Sequence, residues 1–566
     1  MADAVTFSPV RALRTRGART GAFLLVFAFF AVFFAFPLAS IVARGLFAAD
    51  TSTSQVFADL LASSRFRRVL WFTVWQASLS TMLTLLVALP GAYVLSRMTF
   101  RGRNVVRSLV MVPFVLPTVV VGSAFLAVLG PRSPLNGVLQ FFLNDPSFTL
   151  DLRRTVTAIL IAHVFFNYAV VVRTVGGVWS LLDPKMDDAA RTLGAGRIRT
   201  FFSVTLPALR AAIAAAAAIV FLFTFTSFGV ILILGGVTRA TIEVEIHRAT
   251  TQLLDLPLAA ALSVVQLLAV MLTLWVYGRI QSRVTYPAFV AERDTARKPV
   301  SGAERLFLGA NLLLMAGLLA LPVLVLVERS LRVADGYGLS HYVNIFTVQP
   351  TTALAVSGAH ALRHSLLFGL GATVVAVMIG TLTALLAAHK ESVAARLLDR
   401  SLMVPLGTSA VTLGFGFLLA FRFLPAGFRS SVWLIPIVQA VVATPFVVRT
   451  VLPVLHGIGD DVRDAARVLG ASTRQVRRHV EWPIASRAVL VAAGFAFAIA
   501  VGEFGATVFL ARAEYPTLPV AIFRLLSRPG ASNFGEAMAL SVILAGLTAV
   551  AVLAIDRVRV GNVGRF

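Results

Sequence analysis

The chain has 566 residues, of which 58% are hydrophobic and only 13% charged, about half the roughly 25% charge of an ordinary soluble domain, so neither a typical soluble globule nor a disordered chain fits. It has no cysteine, which excludes disulfides, zinc fingers, thiolate metal sites and cysteine nucleophiles. The net charge, 50 − 26 = +24, sits in short segments between apolar runs, where Lys and Arg set membrane topology; nucleic acid is not the expected partner.

Apolar runs of about twenty residues read as membrane-spanning helices. The first, at 21–43, follows Arg11, Arg14, Arg16 and Arg19 and exceeds the apolar core of a secretory signal, about 7–15 residues. It is predicted as an uncleaved span; a cleaved signal ending near Ala39 is the other reading. Further spans are predicted at 70–96, 105–129, 155–181, 208–235, 257–279, 305–327, 365–389, 399–424, 431–456, 486–510 and 535–556. With the N-terminus inside, the inner joints carry Arg97, Arg101, Arg103 and Arg107; Lys185, Arg191, Arg197, Arg199 and Arg210; Arg279, Arg283, Arg293, Arg297, Lys298 and Arg305; Lys390, Arg396 and Arg400; and Arg463, Arg467, Arg474, Arg477, Arg478 and Arg487. The tail adds Arg557, Arg559 and Arg565. By the positive-inside rule both termini are expected on the cytoplasmic side.

A polar, basic stretch at 282–304 separates a first half, 1–281, from a second, 305–566, and the halves repeat. At an offset of 276, Val172-Arg173-Thr174 matches Val448-Arg449-Thr450 and Asp188-Ala189-Ala190-Arg191 matches Asp464-Ala465-Ala466-Arg467. Leu193-Gly194-Ala195 matches Leu469-Gly470-Ala471, Pro207 matches Pro483, and Phe228-Gly229 matches Phe504-Gly505. Upstream the offset is 292, where Met111-Val112-Pro113 matches Met403-Val404-Pro405 and Gly122 matches Gly414. The first half is therefore longer between its third and fourth spans, around Gly130 to Leu152. Six is even, so both halves insert in one orientation: an all-α membrane protein of about twelve helices in two parallel six-helix repeats, with a seam between them for a solute path.

Most informative are the inner loops at 183–207 and 460–483. Asp183-Pro184 reads as a helix start and Gly194 as a left-handed stop before a second helix; Asp460, Gly470 and Ser472 play those parts in the second copy. A short helix with an Ala-Ala face buries little area but lets another backbone approach closely. Two such helices at equivalent positions read as docking elements, against the blander reading of amphipathic connectors on the membrane surface.

The spacing acidic-Ala-Ala, three residues, Gly, nine residues, aliphatic, one residue, Leu-Pro is met from Asp188 to Leu206-Pro207. It recurs from Asp464 to Trp482-Pro483. It resembles the cytoplasmic signature loop of binding-protein-dependent ABC importer permeases, with Asp for the usual Glu and Trp482 for Leu. The resemblance implies a type I importer permease fold in a bacterial inner membrane. It implies two copies of a separate ATP-hydrolysing subunit, which receive the coupling residues Asp188, Ala189, Ala190, Gly194, Pro207, Asp464, Ala465, Ala466, Gly470 and Pro483, and an external solute-binding protein. Two fused halves are typical of its thiamine and ferric-iron importers. WFTVWQASLS from Trp71, AHVFFN from Ala162, and SFGVILILGG with ATIEVEIH, from Ser227 to His247, are similar to thiamine permeases. GEFGATVFLA from Gly502 and TLPVAIF from Thr517 resemble molybdate and sulfate permeases as well.

None of the three lysines, Lys185, Lys298 and Lys390, follows a glycine, so no phosphate-binding loop is expected here. The chain is expected to bind no cofactor or metal and to catalyse nothing; ATP belongs to the partner. An ion-driven secondary transporter also suits twelve spans but needs no duplicated loop. For the path the candidates are His163 and Asn167, one turn apart; Glu503 and its counterpart Ser227; and Pro113 and Pro405, in interrupted spans. Each has a second reading, as interhelical hydrogen bonding for the polar residues and as plain kinking for the prolines. Arg173 and Arg449 are expected to snorkel, and Glu243, Glu245 and His247 to face water in an outward loop.

Overall fold

A computed structural model describes residues 16–46, 58, 60, 62–236, 238–282, 296–334, 336–347, 353–388, 407–421, 425, 431–458 and 460–558. Among them, ten helices are long and apolar enough to cross a membrane: Thr20–Gly45, Ser64–Arg97, Val156–Leu181, Arg197–Phe225, Leu256–Arg279, Gly302–Leu331, Gly358–Ala387, Leu434–Gly457, Arg478–Gly502 and Ala531–Ile555. They correspond to ten of the twelve expected spans. An eleventh is a broken pair, Arg103–Val115 and Thr118–Val128, meeting at 104°. The twelfth, at 399–424, lies partly outside the described residues; Ala410–Ala420 is its described helix. Pro405, Lys390, Arg396, Arg400, Arg283, Arg293, Arg559, Arg565, Arg11 and Arg14 also lie outside them. Large apolar side chains such as Trp71, Leu86, Leu268, Leu272 and Val374 stand exposed on the long helices, the face that a bilayer covers.

Local chemistry sets the helix ends. Ser63, Thr155 and Ser301 accept hydrogen bonds from Phe66, Ala158 and Glu304 N–H, each three residues on. These are side-chain caps that satisfy orphan donors. Prolines shape the interiors. The π-turns Ala31–Ala35, Phe201–Thr205, Ala316–Ala320 and Arg477–Glu481 each run directly into a helix whose second residue is proline: Pro37, Pro207, Pro322 and Pro483. Proline has no N–H for the helical ladder and crowds the preceding turn. A widened turn just before it absorbs the mismatch, so these four helices continue rather than stop.

By contacts the chain divides into two units that do not follow the halves of the sequence. One comprises Met1–Phe47, Leu354–Ala521 and Gly546–Phe566. Alanines hold it together: Ala372 and Ala376 of Gly358–Ala387, Ala440 and Ala443 of Leu434–Gly457, and Ala492, Ala496 and Ala500 of Trp482–Gly502 form one buried cluster. Small residues let helix backbones approach closely where no water drives them together. The first helix of the chain belongs here. Phe34 packs with Leu413, Phe417 and Val438, and a side chain at Gly416 would stand 3.0 Å from the Pro37 carbonyl oxygen.

The other unit comprises Ala48–Ala353 and Ile522–Ala545. Its helices Ser64–Arg97, Val156–Leu181 and Leu206–Phe225 bury hydrogen-bonded polar residues: Thr73, Gln76, Ser80, Thr84, His163, Asn167 and Thr224. The opening helix of the second half packs here; a side chain on Gly91 would stand 2.9 Å from Met315. The longer stretch of the first half, around Gly130 to Leu152, contains a helix, Pro134–Leu143, capped by the Ser133 hydroxyl.

Candidate functional site

The two loops fold alike. In the first, Lys185–Thr192 is a helix with Asp187 and Asp188 in its first turn. Asp183 contributes as expected but one residue out of place: Pro184 is the cap position, and the Asp183 carboxylate accepts from Lys185 N–H at 2.9 Å. The helix stops at Gly194, whose φ of +84° is strained for any residue with a Cβ. Gly194 N–H bonds the Arg191 carbonyl at 2.9 Å and Ala195 N–H the Ala190 carbonyl at 3.0 Å, the paired bonds of a Schellman stop. In the second loop Asp460–Val468 stops at Gly470, also at φ +84°. Gly470 bonds Arg467 at 2.9 Å and Ala471 bonds Ala466 at 3.0 Å.

Each short helix is tied to the start of the following span, by different chemistry. Thr205 Oγ1 donates to Asp187 Oδ1 at 2.9 Å. At the equivalent positions Arg463 Nε donates to Glu481 Oε1 at 2.8 Å. Ser472 and Gln475 form a reciprocal cap on the second helix of the second loop; its counterpart, Gly196, offers no side chain.

Exposure matches position by position. Asp188 and Ala189 are exposed with Asp464 and Ala465, Ala190 is half-buried with Ala466, and Gly194, Pro207, Gly470 and Pro483 are exposed. Leu193 and Leu469 stand 89% and 87% exposed at the tips, with Met186 and Val462, another equivalent pair, about half exposed. These four were not singled out from the sequence. The signal that points to them is apolar character at repeat-equivalent positions of an otherwise charged loop. The first loop has a further tie: Glu304 accepts from Arg297 at 2.7 and 3.0 Å and pairs with Arg197 at 3.3 Å. That carboxylate holds the Arg297 guanidinium above its ordinary pKa.

Of the path candidates, His163 is buried and bonded at both ring nitrogens, to Ser80 at 3.0 Å and to Ser227 at 2.9 Å. Asn167 donates to the His163 carbonyl, while its Oδ1 has no partner among the described residues. Glu503 lies just past the Arg478–Gly502 helix rather than inside a continuous span. Its carboxylate accepts from Ala506 N–H at 2.7 Å, from Thr507 N–H at 2.9 Å and from the Thr507 hydroxyl, starting the short helix Thr507–Leu510. Pro113 sits within a helix; the break falls at Leu116-Pro117. Spans five and eleven are broken at matching places, after Phe225 and after Gly502. Gly122 and Gly414 let those breaks pack: a Cβ there would stand 2.8 Å from Ile233 and 2.6 Å from Ala506.

Glu243, Glu245 and His247 are buried, not turned to water. Gln266 donates to Glu243 at 2.8 Å and Arg65 pairs with Glu245 at 2.9 Å. His247 lies between Phe228 at 5.4 Å and Phe523 at 6.3 Å, and burial pushes its pKa down to about 4. Arg173 and Arg449 are exposed.

Two segments of the chain, 80–286 and 376–560, match the family described as binding-protein-dependent transport system inner membrane component. The thiamine transport system permease protein ThiP of Brucella abortus (strain 2308) is 28% identical over 508 residues, 88% of this chain and 89% of its own length. The protein of the same name from Escherichia coli (strain K12) is 26% identical, covering 81% of this chain and 83% of its own. Among solved structures, a chain of a bacterial ABC transporter that imports alginate matches with a TM-score of 0.41 at 18% identity, covering 47% of this chain and 95% of that one. Matched in both halves, the chain belongs to the binding-protein-dependent inner-membrane permeases, as a two-half, multi-pass transport subunit.

Proposed function

We propose that the chain is the membrane subunit of an ATP-driven importer, gripped at 183–207 and 460–483 by two copies of a separate ATPase on the cytoplasmic side. Both termini would then be cytoplasmic. The observation that carries this reading is the pair of loops with one geometry, the same Schellman stop at φ +84° and the same exposed tip. Closure of the ATPase pair presses on Asp188-Ala189 and Asp464-Ala465. The ties Asp187–Thr205 and Arg463–Glu481 pass that movement into the following spans, and the path alternates between faces. The chain itself uses no cofactor and hydrolyses nothing.

Thiamine is the solute we favour, delivered by an external binding protein. Similarity to proteins named thiamine permeases across both halves supports this. The second-half stretch from Gly502 supports an oxyanion as the alternative, and the fused architecture iron(III). For the path, His163 and Glu503 have their hydrogen-bonding capacity engaged by neighbours and are assigned to holding helices. Asn167, with an acceptor to spare, is assigned to the solute.

The test is co-expression with the cognate ATPase and binding protein, followed by purification and uptake of labelled thiamine into proteoliposomes. Gly194→Trp and Gly470→Trp together are expected to lower ATPase recovery more than tenfold. An intact complex with both changes refutes the footholds. An intact ATP-driven importer whose binding protein takes iron(III) or an oxyanion refutes thiamine alone.

A further inference from the structure

Beside the first short helix lies a cavity of about 410 Å³, within the size range of small-molecule sites, roughly 300–1,000 Å³. Aromatic rings form its walls. Tyr93 lies 5.3 Å from Trp179 and 6.1 Å from Phe307, and Trp179 lies 6.3 Å from Phe201, centroid to centroid. Its polar lining holds three guanidinium groups, Arg191, Arg197 and Arg297, against two carboxylates.

Both carboxylates are engaged. Glu304 takes Arg297 and, at 2.9 Å, Val300 N–H; Asp187 takes the Thr205 hydroxyl. Among the described residues, Arg191 meets a carboxylate only at 4.0 Å, from Asp188 on its own helix, beyond hydrogen-bonding distance, and Arg197 is 65% exposed with one ion pair at 3.3 Å. The lining therefore offers aromatic surface, with Phe307 exposed, a net charge of +1 and guanidinium donors with capacity left. Guanidinium forks match phosphate oxygens, and aromatic faces favour planar rings.

We propose that this cavity binds a planar aromatic ring bearing a phosphate. The bound molecule braces the first short helix against the ends of Ser64–Arg97 and Val156–Leu181. Resting on the importer reading, in which this side is cytoplasmic, the site reports the product of an ATP-dependent phosphoryl transfer to the imported solute and restrains import when that product accumulates. A free nucleotide has the same chemistry and is the other source.

Full-length chain in lipid nanodiscs, without ATPase, is titrated calorimetrically with thiamine monophosphate, with AMP and with inorganic phosphate. Saturable binding of thiamine monophosphate at least tenfold tighter than inorganic phosphate is expected. Arg191→Ala and Phe307→Ala, both at exposed positions, each weaken it at least fivefold while the unfolding temperature is kept. Tighter binding of AMP than of thiamine monophosphate assigns the site to nucleotide and overturns the feedback role. No binding of either aromatic phosphate, equal binding of inorganic phosphate, or indifference to both variants overturns the site itself. Because no ATPase is present, those failures leave the foothold assignment standing.

Discussion

At five of six equivalent places the first half buries a polar side chain where the second buries an apolar one. Under the offsets of 276 and 292, Gln76, Ser80 and Thr84 correspond to Phe368, Ala372 and Ala376. His163, Asn167 and Thr224 correspond to Gln439, Ala443 and Ala500. All twelve are buried. The first half joins its helices by hydrogen bonds, as where His163 links Ser80 to Ser227; the second closes them with alanines. A hydroxyl contact recurs in both interiors: Thr73 Oγ1 accepts from Ile242 N–H at 3.1 Å and its counterpart Ser365 from Leu518 N–H at 2.7 Å. Interior polarity at these positions is therefore free to diverge while the bond from the outer segment to the span is kept.

The comparison is sharpest at the paired glycines. A Cβ at Gly414 meets the Ala506 backbone at 2.6 and 2.7 Å, whereas at Gly122 it meets only the Ile233 side chain. Overpacking costs about 1–3 kcal/mol, more where backbone must move. Gly414→Ala is expected to lose about 3 kcal/mol and Gly122→Ala about 1, read as unfolding in detergent; equal losses break the comparison. Next, Ala443→Asn puts an amide into a layer packed by alanines and is expected to cost about 2–3 kcal/mol. Asn167→Ala, giving up one bond, costs about 1.

A third contrast is electrostatic. His247, equivalent to Phe523, is pushed down to about 4 by burial. Below pH 6.5 the unfolded chain takes up a proton that the folded one refuses, so stability falls with pH until about 4. The loss between pH 6.5 and 5 is about 1–2 kcal/mol. His247→Phe should remove that slope in pH-dependent melting. The smallest effect is at the charged loop tie, Arg463–Glu481, which is partly exposed at both ends. Removing Arg463 should cost about 0.5 kcal/mol and be salt-sensitive, since two charges meet there. A double-mutant cycle with Glu481 measures it.

The duplication, the ten long spans and both loops were legible in the sequence, because apolar length, a constant offset and the glycine stops are local signals. The breaks after Phe225 and Gly502 were not. Thr226, Ser227 and Phe228 carry no proline or glycine, and Gly122, which makes room for Ile233 just past the break, lies far upstream in the chain. Burial of Glu245 was hidden because its partner, Arg65, is 180 residues away. The home of the first helix was hidden likewise, since Phe34 meets Leu413 and Phe417 only in the folded chain. Glu503 could have been read as a cap from Ala506 and Thr507 three and four residues on; its place in an apolar run drew attention to transport instead.

The π-turns before Pro37, Pro207, Pro322 and Pro483 each take in a residue without adding a step of rotation to the helix. Each turn holds one residue more than an α-turn, and one residue is about 100° of rotation. Deleting a single residue from 201–205 or 477–481 would close the widened turn to an α-turn and leave the downstream side chains facing as before, with the crowding moved onto Pro207 or Pro483. These are the places where a span can lose a residue and keep its facing to the loop before it.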